Sequence, residues 1–264
     1  MMLGNKVIEL KIKELRDKGS EVIHSFEKNC GQMYEDAKYI LKMNSYVLFF
    51  ERNKVVIGIK GKECWKEEST KQNQQLRCGE EDAETAMHHM YYMELQFVGI
   101  NPGVEITACD KLSGKYHYFT FRNLQRGIRD VPVYAKIRYV NIYDNIDLVF
   151  YLNQNTLEYD YIVRPYGNVS DIRVRVFGHH SLKLNETGDV KIQVQSSALM
   201  IRKPSAYQIK YGAVKKIASA FQIKNDDVML SVERYDQRMQ LVIDPMMEVE
   251  DREGIEEVVL NNER

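Results

Sequence analysis

The feature that most constrains this chain is a period of two in its apolar side chains, which begins near Phe26 and recurs in short runs. Because successive side chains of a β-strand point to opposite faces, this period is typical of strands with one buried face. Polar residues that favour turns separate the runs. The pattern predicts strands at 46–50, 55–59, 91–98, 133–140, 147–152, 157–163, 172–177, 182–184, 189–195, 218–224 and 228–232.

Short strands at this rhythm indicate an antiparallel sandwich or barrel rather than βαβ units. We therefore expect an all-β fold, specifically an antiparallel β-sandwich. The clearest hairpin turn is 185–188, because it ends in Gly188, and glycine adopts a positive φ without a steric cost.

The two ends of the chain and one internal segment depart from this pattern. Residues 5–18 carry apolar side chains at helical spacing and predict a short N-terminal helix. Residues 66–85 hold almost no large apolar side chain and predict a mobile insert and a sub-boundary. We expect a helical extension at 1–25, a β-sandwich domain at 26–247 and an acidic tail at 248–264.

Composition narrows the classes of partner. The 37 basic and 38 acidic residues leave a net charge of -1, which argues against a nucleic-acid partner. No apolar run reaches the length of a membrane-spanning helix, so we expect no membrane insertion. The first residues lack the apolar core of a signal peptide, which predicts a cytoplasmic location for the sequence as given. The four cysteines are too dispersed for a disulfide framework and are expected to be free thiols.

The sequence contains few arrangements that could carry chemistry. Its adjacent histidine pairs would point to opposite faces of a strand, and it has no GxSxG, P-loop or GxGxxG motif. We therefore expect no catalytic residue, no cofactor and no metal ligand. A glycosidase pair remains an alternative, because acids cluster at Asp144, Asp147, Glu158 and Asp160.

A structural charge ladder is the competing interpretation of the same region. Glu158 and Asp160 alternate with tyrosines, and Arg173 and Arg175 alternate with valines. If the two runs form an antiparallel hairpin, Glu158 faces Arg175 and Asp160 faces Arg173, which would fix the register of the strands. We expect these four residues to form the ladder.

Tyrosine is frequent, with 17 residues in the chain. An exposed tyrosine face could stack sugars or bases. Tyr159 and Tyr161, however, lie on the same face of their strand as the apolar residues, which predicts core positions for them. Both interpretations stay open at this stage.

Several phrases resemble an uncharacterised β-rich domain of bacterial proteins, which precedes SBBP-type β-propeller repeats in exported or cell-surface proteins. The phrases are FEKNCGQ (26–32), ELQFVGINP (94–102), VPVYAKIRYVNIYDNIDLVFY (131–151), LEYDYIVRPYGNVSDIRVRVFG (157–178), GDVKIQVQ (188–195), KPSAYQ (203–208) and YDQRMQLVIDP (235–245). The resemblance implies no catalytic residue. It implies register-keeping roles for the recurrent polar residues Asp147, Glu158, Asp160, Gln208, Asp236 and Asp244.

These observations predict a non-catalytic structural or protein-interaction module that self-associates or binds a separate subunit. The alternative is a carbohydrate-binding module or a glycan-active enzyme that uses exposed tyrosines and the acids near Asp147. An apolar patch or a free strand edge would favour assembly, and a concave face with outward rings would favour a glycan.

Overall fold

The computed structural model describes residues 24–60, 90–120, 123–153, 156–195 and 197–251. The helix predicted at 5–18 and the insert predicted at 66–85 lie outside these residues. In the described part, the chain forms nineteen strands and one 3-10 turn at Val169–Asp171, with no α-helix. The prediction of an all-β fold is confirmed.

The strands of the described residues have the following bounds. In chain order they are β1 (Phe26–Lys28), β2 (Tyr39–Lys42), β3 (Tyr46–Phe50), β4 (Lys54–Lys60), β5 (Met90–Phe97), β6 (Glu105–Thr120), β7 (Asn123–Tyr143), β8 (Ile146–Asn153), β9 (Thr156–Val163), β10 (Arg173–Phe177), β11 (Ser181–Leu184), β12 (Val190–Val194), β13 (Ser197–Ile201), β14 (Ser205–Lys210), β15 (Ala213–Ile217), β16 (Ser219–Lys224), β17 (Asp227–Val232), β18 (Leu241–Asp244) and β19 (Met246–Asp251).

All strand pairs of the described residues are antiparallel and belong to one continuous sheet. One wall runs in the spatial order β16, β17, β10, β5, β4, β3, β2 and β1. The second wall runs from β6 through β7 and β8 to β9, whose outer edge pairs with both β18 and β19. From there β18 continues to β14 and β15, and β19 continues to β13, β12 and β11.

The two walls face each other across the main hydrophobic core. Phe50 of β3 and Phe150 of β8 have ring centroids 5.1 Å apart, and Phe97 of β5 lies 5.4 Å from Tyr139 of β7. Edge-to-face contacts of this kind add to the free energy of apolar burial. The aromatic side chains therefore hold the walls together from within.

The prediction of a sandwich with two separate sheets needs correction, because hydrogen bonds join the walls. Strand β7 is 21 residues long. On one side it pairs first with β1, at Val133 and Tyr134, and then with β8 from Lys136 onward. Because β7 pairs with β1 of the first wall and with β8 of the second, it joins the two walls into one sheet. The opposite ends of the sheet meet where β11 contacts β16, so the sheet is nearly closed.

The last strand extends past the domain boundary predicted at residue 247. Residues 248–251 continue β19, where Leu199 of β13 lies opposite Val249. Met247 is buried in the core. The sheet therefore includes the first residues of the segment assigned to the acidic tail.

Candidate functional site

The charge ladder predicted from the sequence does not form. Strand β9 pairs with β8, β18 and β19, whereas β10 pairs with β5 and β17. Glu158 therefore does not face Arg175, and Asp160 does not face Arg173. The predicted core positions of Tyr159 and Tyr161 are confirmed, because both side chains are buried.

The two arginines share a different acid. Arg175 donates from Nε to Oδ1 of Asp227 at 2.6 Å and from Nη2 to Oδ2 at 3.0 Å. Arg173 Nε lies 3.8 Å from the same carboxylate. These guanidinium groups lower the pKa of Asp227. The contact joins β10 to β17 and has a structural role.

The acids of β9 lie on the outer face of the sheet, next to a further acid. Glu158 accepts a hydrogen bond from Asn153 at 3.0 Å, and Asp160 accepts one from the Tyr151 hydroxyl at 3.2 Å. The register of β9 with β18 places Asp244 opposite Asp160. Desolvation, followed by repulsion from Asp244, raises the pKa of Asp160 to about 6. Like charges in this position destabilise a sheet.

Asp147 is fully buried and already occupied by protein donors. Its Oδ2 accepts from Arg138 and, at 2.8 Å, from Arg164, while Oδ1 accepts the backbone N–H of Asn141 at 2.6 Å. Asp144 lies apart from this network, exposed in the turn after β7. The arrangement favours a structural role for Asp147 over that of a glycosidase acid.

The most exposed apolar group of the described chain lies on the β14–β15 hairpin. The turn residues Tyr211 and Gly212 have φ values of 51° and 79°, which is the conformation of a type I′ turn. Ile209 and Val214 lie directly opposite each other, 59% and 62% exposed, and Tyr211 is 97% exposed. We call Ile209, Tyr211 and Val214 the tip patch.

The base of this hairpin is firmly held. Gln208 is buried, donates from its amide to the carbonyl of Asp236 at 2.9 Å, and accepts the N–H of Asp236 at 3.1 Å. Ala206 and Ile217 pair across the two strands and are both buried. The tip patch therefore projects from a rigid base.

Strand β15 also has an open edge, because in the described part of the chain it pairs only with β14. The other edges of the described sheet differ from it. Strand β6 has register shifts in its pairing with β7 and is therefore irregular, and β11 and β16 contact each other. Irregular or covered edges resist further pairing, so β15 is the edge most suited to accept a strand.

The open edge is basic. Lys215 and Lys216 form no ion pair with any residue that the structure describes, and Lys210 lies beside the ring of Tyr211. A groove of about 360 Å³ lies at the foot of the hairpin and is lined by residues 203–206 and 216–219, which include Lys203 and Lys216. Sequence reasoning missed this site, although Tyr211-Gly212 between two alternating runs is a hairpin signal.

The fold and this surface define an all-β protein with one nearly closed antiparallel sheet and a projecting hairpin. The chain belongs to the family described as "Domain of unknown function (DUF7948)", whose model matches residues 26–246. No curated protein and no solved structure matches the chain. No helix among the described residues is long and apolar enough to cross a membrane.

Proposed function

We propose that this protein is a non-catalytic protein-interaction module that binds through the β14–β15 hairpin. The observation that carries the proposal is the tip patch, which exposes Ile209, Tyr211 and Val214 on a hairpin whose base is buried. Exposed apolar side chains that adjoin an open strand edge favour association with another protein.

Two further considerations support this function. The tyrosine at the first turn position has a positive φ, which is unfavourable for a large side chain, and such local strain concentrates at functional positions. The resemblance to a domain that precedes β-propeller repeats implies relatives in which this domain adjoins another β-rich body. We infer that the hairpin meets a partner subunit or a second copy.

The burial of Asp147 supports the non-catalytic part of the proposal. Two cavities stand out among the described residues, the basic groove and an apolar void of about 30 Å³ in the core. The void is far smaller than the pockets that hold small molecules, whereas the groove has a volume in their range but has no carboxylate or histidine among its lining residues.

The test is the mass of the native protein, taken from its source cells with its partners attached. We expect an assembly heavier than 31.0 kDa, and dissociation when Ile209→Ser and Val214→Ser are introduced together. Leu184→Ser, which alters an exposed leucine on β11, is the matched control and should leave the assembly intact. A strictly monomeric protein at high concentration without a partner would contradict the proposal.

A glycan-binding function is the second candidate. Tyr92 and Phe177 are exposed on the neighbouring strands β5 and β10, and the register places Phe177 opposite Glu94, one outward position from Tyr92. Two outward rings are a minimal platform for sugar stacking. Binding to a polysaccharide panel that is lost in the Tyr92→Ala, Phe177→Ala double variant, and kept in the hairpin variant, would favour this function.

A further inference from the structure

We propose that β15 accepts an extended acidic segment of a separate protein as an added antiparallel strand. This inference rests on the proposed function and specifies the chemistry of the partner. It follows from the backbone groups that β15 leaves open, from the side chains beside them, and from the charge of that edge.

The backbone of β15 offers a regular row of donors and acceptors. In a two-residue turn the flanking residues Lys210 and Ala213 are hydrogen-bonded to each other, and the pattern then alternates along the strands. Val214 and Lys216 therefore direct their N–H and C=O groups away from β14. Another strand can satisfy these groups, which is the basis of recognition by strand addition.

The side chains beside the edge define what that strand should carry. Val214 and Lys216 share the outer face, and Lys215 points to the inner face. An added antiparallel strand would place an apolar side chain beside Val214, and acidic side chains beside Lys215 and Lys216. Read from its N-terminus, the partner segment would run acidic, acidic, apolar.

The positive charge of Lys215 and Lys216 favours a different protein, rather than a second copy of this chain, as the partner of β15. Pairing β15 with β15 of another copy in a register centred on Lys215 or Lys216 would bring the lysines of both chains together, and like charges on adjacent strands are unfavourable. Neither lysine has a counterion among the described residues. The groove between Lys203 and Lys216 is open to receive a carboxylate.

On the outer face of the sheet, Asp244 lies two strands away from β15. Asp244 lies opposite Ser205 on β14, so β14 stands between β18 and β15. Two strand spacings amount to about 10 Å, which is close to the screening length of physiological salt. An acidic strand paired with the open edge of β15 would therefore lie closer to Lys215 and Lys216 than Asp244 does.

The experiment measures binding of a synthetic eight-residue peptide, TVTEEVTV, to the full chain by fluorescence anisotropy. A peptide with lysines in place of both glutamates tests charge, and one with a proline replacing the valine after them tests backbone pairing. We expect saturable binding of the acidic peptide alone, and weaker binding at high salt.

Variants of the protein test the same points. Lys215→Glu with Lys216→Glu should weaken binding about tenfold or more, because both charge contacts become repulsive. Lys183→Glu with Lys224→Glu, which changes exposed lysines on β11 and β16, should leave it unchanged. Val214→Pro should abolish binding without loss of the fold, because the N–H of Val214 faces away from β14.

The outcomes separate this proposal from the broader one. Equal binding of the lysine or proline peptide would overturn strand addition by an acidic segment. Absence of peptide binding, with a mass that rises with concentration and falls in the tip-patch variant, would identify a second copy as the occupant. That result would overturn this inference and leave the interaction function standing.

Discussion

The carboxylate of Asp147 accepts hydrogen bonds from three places in the chain: the guanidinium groups of Arg138 and Arg164 and the backbone N–H of Asn141. Its carboxylate is fully buried, whereas Arg138 and Arg164 are partly exposed. The network therefore anchors β7, β8 and the segment after β9 at one point on the outer face.

Replacement of Asp147 by Asn should lower the free energy of unfolding by about 1–3 kcal/mol, because hydrogen bonds to a charged group are lost and two arginines keep their charge. The measurement is urea unfolding at neutral pH. Asp144→Asn, an exposed acid in the adjacent turn, is the control and should change stability by less than about 0.5 kcal/mol. Equal effects at both positions would contradict a structural role for Asp147.

Asp160 makes the fold depend on pH. Desolvation, with repulsion from Asp244, raises its pKa from 3.8 to about 6. The folded state therefore binds the proton more readily than the unfolded state, so the ionised carboxylate weakens the fold above about pH 6. This destabilisation disappears as the pH falls through 6 towards 3.8.

We expect Asp160→Asn to be more stable than the native chain above the pKa of Asp160, by about 1 kcal/mol after solvent screening. The difference should shrink as the solution is acidified. Unfolding curves across this pH range measure it, with the exposed Asp36→Asn as control. A difference that stays constant with pH would show that repulsion from Asp244 and burial have no effect on stability.

At the scale of the element, the β14–β15 hairpin combines a fixed base with a strained turn. The surroundings of Gly212 leave room for a side chain, because no heavy atom lies within 4 Å of the point that a Cβ would occupy. Its φ of 79° is the feature that an alanine would oppose.

Gly212→Ala should therefore cost about 1 kcal/mol of stability, entirely through the backbone. Gly103→Ala is a matched control, because that glycine is also without heavy atoms within 4 Å and has no positive φ. Thermal unfolding of both variants distinguishes them. If Gly103→Ala destabilises as much as Gly212→Ala, the turn conformation is not the cause.

At the scale of the whole molecule, the pairing of β4 with β5 bears on the segment between them. The pairing continues to Lys60 and Met90, so the two ends of this connection lie side by side. Neighbouring positions on paired strands are about 5 Å apart, a span that a short linker covers.

Replacement of residues 66–85 by a short Gly/Ser linker should leave the melting temperature within a few degrees, because the segment offers almost no apolar side chain to a core and loop closure depends weakly on length. Differential scanning calorimetry measures the change. Deletion of β19, whose Met247 is buried, is the contrasting variant and should prevent folding. A large loss of stability with the linker would mean that the segment contributes to the core.

Much of the local structure could be predicted from the sequence. The run at 46–50 is β3 without a change, and Gly188 has the positive φ expected of its turn. Tyr159 and Tyr161 are in the core, as their parity predicted. These features depend on neighbouring residues in the chain, which the sequence displays directly.

The sequence did not predict which strands pair with each other. Arg175 binds Asp227, which lies 52 positions further along the chain, and Asp160 lies opposite Asp244. Several pairings of the same strands would bury the same apolar faces, so the packing of the whole sheet selects among them. The predicted ladder failed for this reason.

The sequence by itself determined the class of fold, the faces of the strands that it predicted and turns such as 185–188, because a strand's period and a turn's backbone are local properties. Only the tertiary structure decided that β7 joins the two walls, that Asp147 is enclosed by arginines, and that β15 remains open. Those features depend on which distant strands compete for the same edge, and that competition is resolved only when the entire core packs at once.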